Sequence, residues 1–187
     1  MKQFFLASRE ILEVVVISLM TVYIVRSFII QPFLVSGASM EPTFSDGNYL
    51  LIDELTYRFR APERGEVIVF RYPGDAKTFY IKRIIGIPGE RVLVKNGVIR
   101  VYSNAETAGV TLSETYLSLG VLTIGDTDTT LGADEYFMLG DNRYFSFDSR
   151  NWGTLRKGDI IGVVRLRLWP LRGAHTFEAP SYEGGQK

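Results

Sequence analysis

Residues 79–101, FYIKRIIGIPGERVLVKNGVIRV, commit this chain to antiparallel β-structure. Two short runs rich in β-branched residues, 91–94 and 98–101, flank Asn96-Gly97. That dipeptide suits a type I′ turn, whose two central residues both need positive φ, so the stretch predicts a hairpin. Upstream, Pro88-Gly89 marks another turn and 79–85 is a further strand candidate. Its period of two puts Tyr80, Lys82 and Ile84 on one face, and Ile81, Arg83 and Ile85 on the other. Beyond the hairpin, strand patterns recur at 48–53 (NYLLID), 66–72 (EVIVFRY), 136–139 (YFML) and 160–168 (IIGVVRLRL).

Composition agrees with a strand-dominated body. Eighteen glycines, many β-branched residues and 13% aromatics favour sheet. The 21 acidic and 21 basic residues balance, and no basic block stands out, so no nucleic-acid partner is expected. The chain has no cysteine, which excludes disulfides and thiolate metal sites. Asp126, Asp128, Asp141 and Asp148 lack EF-hand spacing, so no metal is expected. A length of 187 residues suits one globular domain with an appendage.

The appendage is the apolar run at 11–30, ILEVVVISLMTVYIVRSFII. Twenty helical residues rise about 30 Å, the thickness of a bilayer's hydrocarbon core. Lys2, Arg9 and the N-terminal amine outweigh Arg26, which puts the N-terminus in the cytoplasm and the body outside. Two other readings compete with this anchor. A buried core helix would have to be apolar on every face. A cleavable signal peptide would use Ser36-Gly37-Ala38 as its small-x-small site, although the run is long for that purpose. The expected organisation is therefore 1–30 cytoplasmic N-terminus and transmembrane anchor, then a 31–172 β domain. Within that domain, 103–133 turns polar and reads as a variable excursion with few fixed contacts. The polar tail at 173–187 is expected to be disordered.

Ser39, in SGASMEPTF at 36–44, is the candidate nucleophile. Its ordinary reading is a loop serine. Gly-x-Ser-x-Gly is not satisfied, because Glu41 takes the last glycine position. The order Ser39, Asp148, His175 mimics a triad, but His175, the only histidine, lies in the polar tail. Lys82 is the better base. Its ordinary reading is an edge lysine with its ammonium in water. If the Tyr80/Ile84 face is buried, however, desolvation disfavours the charged form and the amine becomes usable. The cluster GDNRYFSFDSR at 140–150 supplies Ser146, Asp148 and Arg150.

Taken together, SGASMEPTF, YIKRIIGIPGE at 80–90, GDNRYFSFDSR and NWG at 151–153 resemble the bacterial type I signal peptidases of the single-span subtype. The four segments occur in order behind an N-terminal span and cover nearly the whole chain. The resemblance implies an all-β body of coiled antiparallel sheets lying against the outer face of the plasma membrane. It makes Ser39 the nucleophile and Lys82 the general base of a dyad. Ser146 would orient the lysine amine, and Asp148 and Arg150 would support the site as an ion pair. Phe33, Val35, Met40, Tyr80 and Ile81 would line pockets for small residues at −1 and −3 of exported preproteins. Membrane lipid is a further partner, and no cofactor is implied. Two positions depart from the pattern: Gly37 stands where some members carry a serine that helps bind the oxyanion, and Tyr144-Phe145 replace Asp-Asn. Two alternatives belong to other classes. One is a self-cleaving Ser/Lys protease of the SOS-repressor type, and the other a non-enzymatic, membrane-anchored β module.

Overall fold

A computed structural model describes the backbone of residues 2–28, 30–103, 109–180 and 182, with side chains described over 9–22 and from residue 31 onward within those limits. Helix α1 (Lys2–Phe28) leads into β1 (Ile30–Leu34) and β2 (Tyr49–Asp53). Next come β3 (Val67–Tyr72), β4 (Asp75–Gly86), β5 (Arg91–Lys95) and β6 (Val98–Tyr102). The excursion supplies β7 (Val110–Thr111) and β8 (Thr127–Thr130), followed by β9 (Glu135–Leu139) and the short helix α2 (Ser149–Trp152). Strands β10 (Leu155–Arg156), β11 (Ile160–Trp169) and β12 (His175–Thr176) complete the chain.

All the pairings are antiparallel. One sheet runs β1-β2-β11-β3-β4-β9-β10, with β12 beside β11, and a smaller one runs β7-β6-β5-β8. The expected hairpin joins β5 and β6, with Asn96 and Gly97 at φ 52° and 80°, as a type I′ turn demands. Pro32 lies in β1, which among the described residues pairs with β2 alone, an edge position where proline is tolerated.

Strand β3 reads as a continuous apolar run because both of its faces are covered. Val67 and Val69 pack with Val35, Met40, Phe44, Leu50, Ile52 and Val164. Ile68 and Phe70 pack with Ile84, Tyr136, Met138 and Leu155. A third cluster, centred on Ile85, Val92, Val101 and Phe137, joins the small sheet to the large one.

Three expectations change. Strand β4 begins at Asp75, four residues before its apolar stretch, because Asp75 pairs with Tyr72 of β3 while the side chains of 75–77 stay exposed. The excursion is not free of fixed contacts, since β7 and β8 extend the small sheet. The tail from 173 carries β12, and Phe177 packs against Phe44 with ring centroids 4.5 Å apart. The remainder of that expected disordered segment, 181 and 183–187, lies outside the described residues.

The described side chains of α1, among them Ile11, Leu12, Val14, Ile17 and Leu19, are exposed and covered by no other element. Among the described residues no helix is long and apolar enough to cross a membrane. The side chains of 23–30, part of the expected span, lie outside the described residues.

Gly162 of β11 illustrates how tightly the sheet is drawn. A Cβ there would stand 2.5 Å from the Asp53 carbonyl oxygen and 2.9 Å from its carbon, and backbone cannot swing aside as a side chain can. Gly162→Ala is expected to destabilise the fold by about 1–3 kcal/mol. Urea unfolding followed by circular dichroism measures it, and an unchanged midpoint refutes the constraint.

Candidate active site

Ser39 sits on the connection from β1 to β2, which is closed at its base by Val35 and Asn48 (N–H to O, 2.9 Å) and by Gly47 and Val35 (3.0 Å). Met40 and Phe44 are fully buried and anchor the loop in the core. Gly37 has φ 91°, a conformation that favours glycine, and its N–H donates to Asp46 Oδ1 at 2.8 Å. The second side of the loop is gripped by the turn after β9. Asn142 donates its backbone N–H to Ser39 O (3.1 Å) and its Nδ2 to Ala38 O (3.0 Å). Gly140 passes so close that a Cβ would collide with Ser39 O and Ser146 Oγ. No side chain larger than hydrogen fits there.

Lys82 enters from β4, opposite Ile68 of β3. Tyr80 and Ile84, its neighbours on the same face, pack into the cluster around Phe70, so the condition for desolvation is met. Lys82 is only 3% exposed, and Nζ lies 2.8 Å from Ser39 Oγ while donating to Ile81 O at 2.9 Å. Burial pulls its pKa down from 10.5 to about 8, against the opposing pull of the Asp148 and Asp141 charges.

Both carboxylates are already engaged. Asp141 accepts from Arg83 Nε (2.8 Å), from the second guanidinium nitrogen (2.6 Å) and from Thr43 Oγ1 (2.6 Å). Asp148 caps helix α2 and accepts from Arg150 Nε (2.8 Å) and Nη2 (2.7 Å). Arg83 and Asp141 are both buried, so removing either partner would strand a charge at about 3–5 kcal/mol. Arg143, fully buried, holds the turn from behind. It donates to Gly140 O at 3.0 Å and pairs with Glu114 from the excursion through two nitrogens at 2.6 and 2.5 Å.

Ser39, Lys82, Ser146, Asp148 and Arg150 thus converge on one region, with one correction. Ser146 Oγ is buried without a hydrogen-bond partner, packed against Gly140, and does not bond the Lys82 amine. A second correction concerns the cleft beside Ser39, a cavity of about 360 Å³. Phe33, Val35, Tyr80 and Ile81 line it, but Met40 does not, because the turn after Ser39 directs that side chain into the core. Phe145 and Phe147 join the lining unforeseen. Sequence reasoning also missed Arg83, Thr43, Asp141, Asn142 and Glu114. All but Glu114 lie in segments quoted for other reasons, Arg83 as the residue facing away from Lys82. His175 is exposed, and no group that could hold a metal occurs among the described residues.

Chemically, the arrangement offers a hydroxyl in hydrogen-bond contact with an amine whose proton affinity is lowered, in the lining of a cleft of mixed polarity. Comparison with known proteins gives this geometry its context. The family model described as signal peptidase, peptidase S26, matches residues 8–169. A probable signal peptidase I-2 of Synechocystis is 38% identical over 79% of this chain and 66% of its own length. Signal peptidase I P of Bacillus subtilis subsp. natto is 34% identical over 86% of this chain and 88% of its own. Signal peptidase IB of Staphylococcus aureus is 30% identical over 87% of this chain and 92% of its own. This chain belongs to the signal peptidase family, peptidase S26.

Proposed function

We propose that the chain is a membrane-bound serine endopeptidase that removes N-terminal signal peptides from exported preproteins, with Ser39 and Lys82 as its dyad. The observation that carries this reading is the 2.8 Å contact between Lys82 Nζ and Ser39 Oγ. A non-enzymatic β module has no need of such a contact, because burying a lysine costs stability.

The neutral amine accepts the Ser39 proton as Oγ attacks the carbonyl after the −1 residue. The lysine then protonates the departing amine, leaving an acyl-enzyme, and afterwards activates the water that releases the acyl group. The Ser39 N–H is positioned on the nucleophile itself and serves as one oxyanion donor. The Gly37 N–H is occupied by Asp46 and contributes none.

Substrate enters as an added strand. The edge of β4 from Phe79 to Lys82 has no second strand partner among the described residues, and neither has the outer edge of β1. An extended segment between them directs −1 and −3 to the same side, against Phe33, Val35, Tyr80 and Ile81. Residues 1–30 form the cytoplasmic N-terminus and anchor, and 31–172 the catalytic body on the outer side of the membrane. The support for the anchor is the apolar pattern of 11–30 and the uncovered side chains of Ile11, Leu12, Val14, Ile17, Leu19 and Val22. Lipid confinement brings enzyme and preprotein onto one surface.

Cleavage of a preprotein with alanine at −1 and −3 tests the dyad. Ser39→Ala and Lys82→Met are each expected to lower kcat/KM by about 10⁴-fold or more. Full activity in either variant refutes the mechanism. The lysine also leaves a signature in stability. Its pKa is depressed on folding, so below about pH 8 the charged form disfavours the folded state, and that penalty fades as pH rises toward 10.5. Lys82→Met is therefore expected to stabilise the inactive protein at pH 7, by up to about 3 kcal/mol. Denaturant midpoints read this, and a destabilised variant contradicts it.

The pH–rate profile tests the carboxylates. For the unsubstituted chain, kcat/KM should rise about tenfold per pH unit up to about pH 8 and then level, because only neutral Lys82 is a base. Arg150→Gln removes the cation paired with Asp148, so Lys82 should hold its proton more tightly and the limb should move to higher pH. A limb that stays in place shows that Arg150 does not screen the lysine.

A further inference from the structure

The turn at 140–143 touches both halves of the proposed dyad. Its Asn142 holds the carbonyls of Ala38 and Ser39. Its Asp141 accepts from Thr43 Oγ1, on the serine's loop, and from Arg83, the residue after Lys82 on β4. A shift of this turn therefore displaces the hydroxyl relative to the amine.

The groups that hold the turn from behind come from the polar excursion. Arg143 donates to Gly140 O at 3.0 Å, and its guanidinium is pinned by Glu114 (2.6 and 2.5 Å) and by Thr123 Oγ1 (2.6 Å). Thr123 is itself fixed, its N–H donating to Gly97 O in the β5–β6 turn at 3.1 Å. The Tyr116 hydroxyl donates to Glu114 Oε1 at 2.6 Å and accepts from Arg143 Nη2 at 3.3 Å. The Tyr116 ring lies against the Arg83 guanidinium, whose carbon is 3.9 Å from the ring centre, a cation–π contact. Residues 114–116 thus grip Arg143, on the turn, and Arg83, on the lysine's strand. Neither Glu114 nor Tyr116 belongs to the lining of the cleft beside Ser39, so any effect on turnover passes through those two arginines.

We propose that Glu114 and Tyr116 are positioning residues of the peptidase, which clip the 140–143 turn to β4 and so set the Ser39–Lys82 contact. The proposal rests on the peptidase reading above and extends its machinery into the excursion. A buried arginine left without its carboxylate seeks other partners, and a misplacement of reacting groups by an ångström slows chemistry about 100-fold.

The test uses the full chain in detergent and a peptide with alanine at −1 and −3. Glu114→Gln is expected to lower kcat by about 10-fold to 100-fold, and Tyr116→Leu by about tenfold, with KM within about twofold in both. Circular dichroism checks the folding of each variant. Tyr116→Leu leaves the Glu114–Arg143 ion pair in place and decides the matter if Glu114→Gln does not fold. The Arg64–Glu90 pair, equally buried and doubly bonded (2.8 and 2.5 Å) but set in the β4–β5 turn, supplies the control. Glu90→Gln is expected to lower the urea midpoint yet leave kcat within about twofold. In an Asn142→Ala background, where the turn has already lost part of its grip on the serine's loop, Glu114→Gln is expected to cost at most about threefold more. Unchanged kcat in folded Glu114→Gln and Tyr116→Leu overturns the proposal, as does a loss carried by KM. An equal loss of kcat in Glu90→Gln, or an undiminished cost in the Asn142→Ala background, also overturns it. An unsubstituted chain that cuts no peptide refutes the peptidase reading itself, whereas an active chain indifferent to both substitutions removes only the clip.

Discussion

The burial of one amine governs the rest of the site. Lys82 is placed opposite Ile68 on a strand whose two faces are both covered, so its ammonium is removed from water without a direct carboxylate partner. Everything nearby respects that condition. Asp141 and Asp148, whose charges would restore the lysine's proton affinity, are each tied to a guanidinium, Arg83 and Arg150. Among the described residues the only polar contacts of Nζ are a hydroxyl and a carbonyl. An ion pair there would stabilise the charged form and work against the role proposed for the amine.

Much of this was legible from local pattern. A period of two at 80–85 correctly set Lys82 beside Tyr80 and Ile84, and the Asn-Gly signal correctly set the β5–β6 hairpin. Local pattern fails where partners are distant. The Thr43–Asp141 and Arg83–Asp141 bonds span 98 and 58 residues, and no periodicity links their ends. Strand β8 (TDTT) is polar because its side chains are exposed or half-buried, so hydrophobic alternation cannot reveal it. Glu114 was invisible for the same reason, lying in a polar stretch until Arg143 gives it a role.

Two misreadings share a cause. The roles of Met40 and Ser146 both came from the resemblance, and both residues sit in turns, one directly after Ser39 and the other two residues before Asp148. Chain direction reverses at both places. After Ser39 the loop turns Met40 into the core, and after Gly140 the tight turn packs the Ser146 hydroxyl against glycine, where it has no hydrogen-bond partner. Adjacency along a turn is poor evidence of a shared direction.

The proposed nucleophile and base, Ser39 and Lys82, are anchored in different packed groups. Met40 and Phe44 fix the serine loop among Val35, Leu50 and Val164, whereas Tyr80 and Ile84 fix the lysine's face among Phe70 and Met138. Strand β3 is the partition between them, with valines on one side and Ile68 and Phe70 on the other. The Ser39–Lys82 separation therefore works as a caliper across that partition. A substitution that lets one group settle by a few tenths of an ångström would register first as a slower turnover, well before it registers as a lower melting point. Under the proposed dyad, catalytic rate is the finer gauge of core packing, and drift in the interior would be exposed to selection through chemistry.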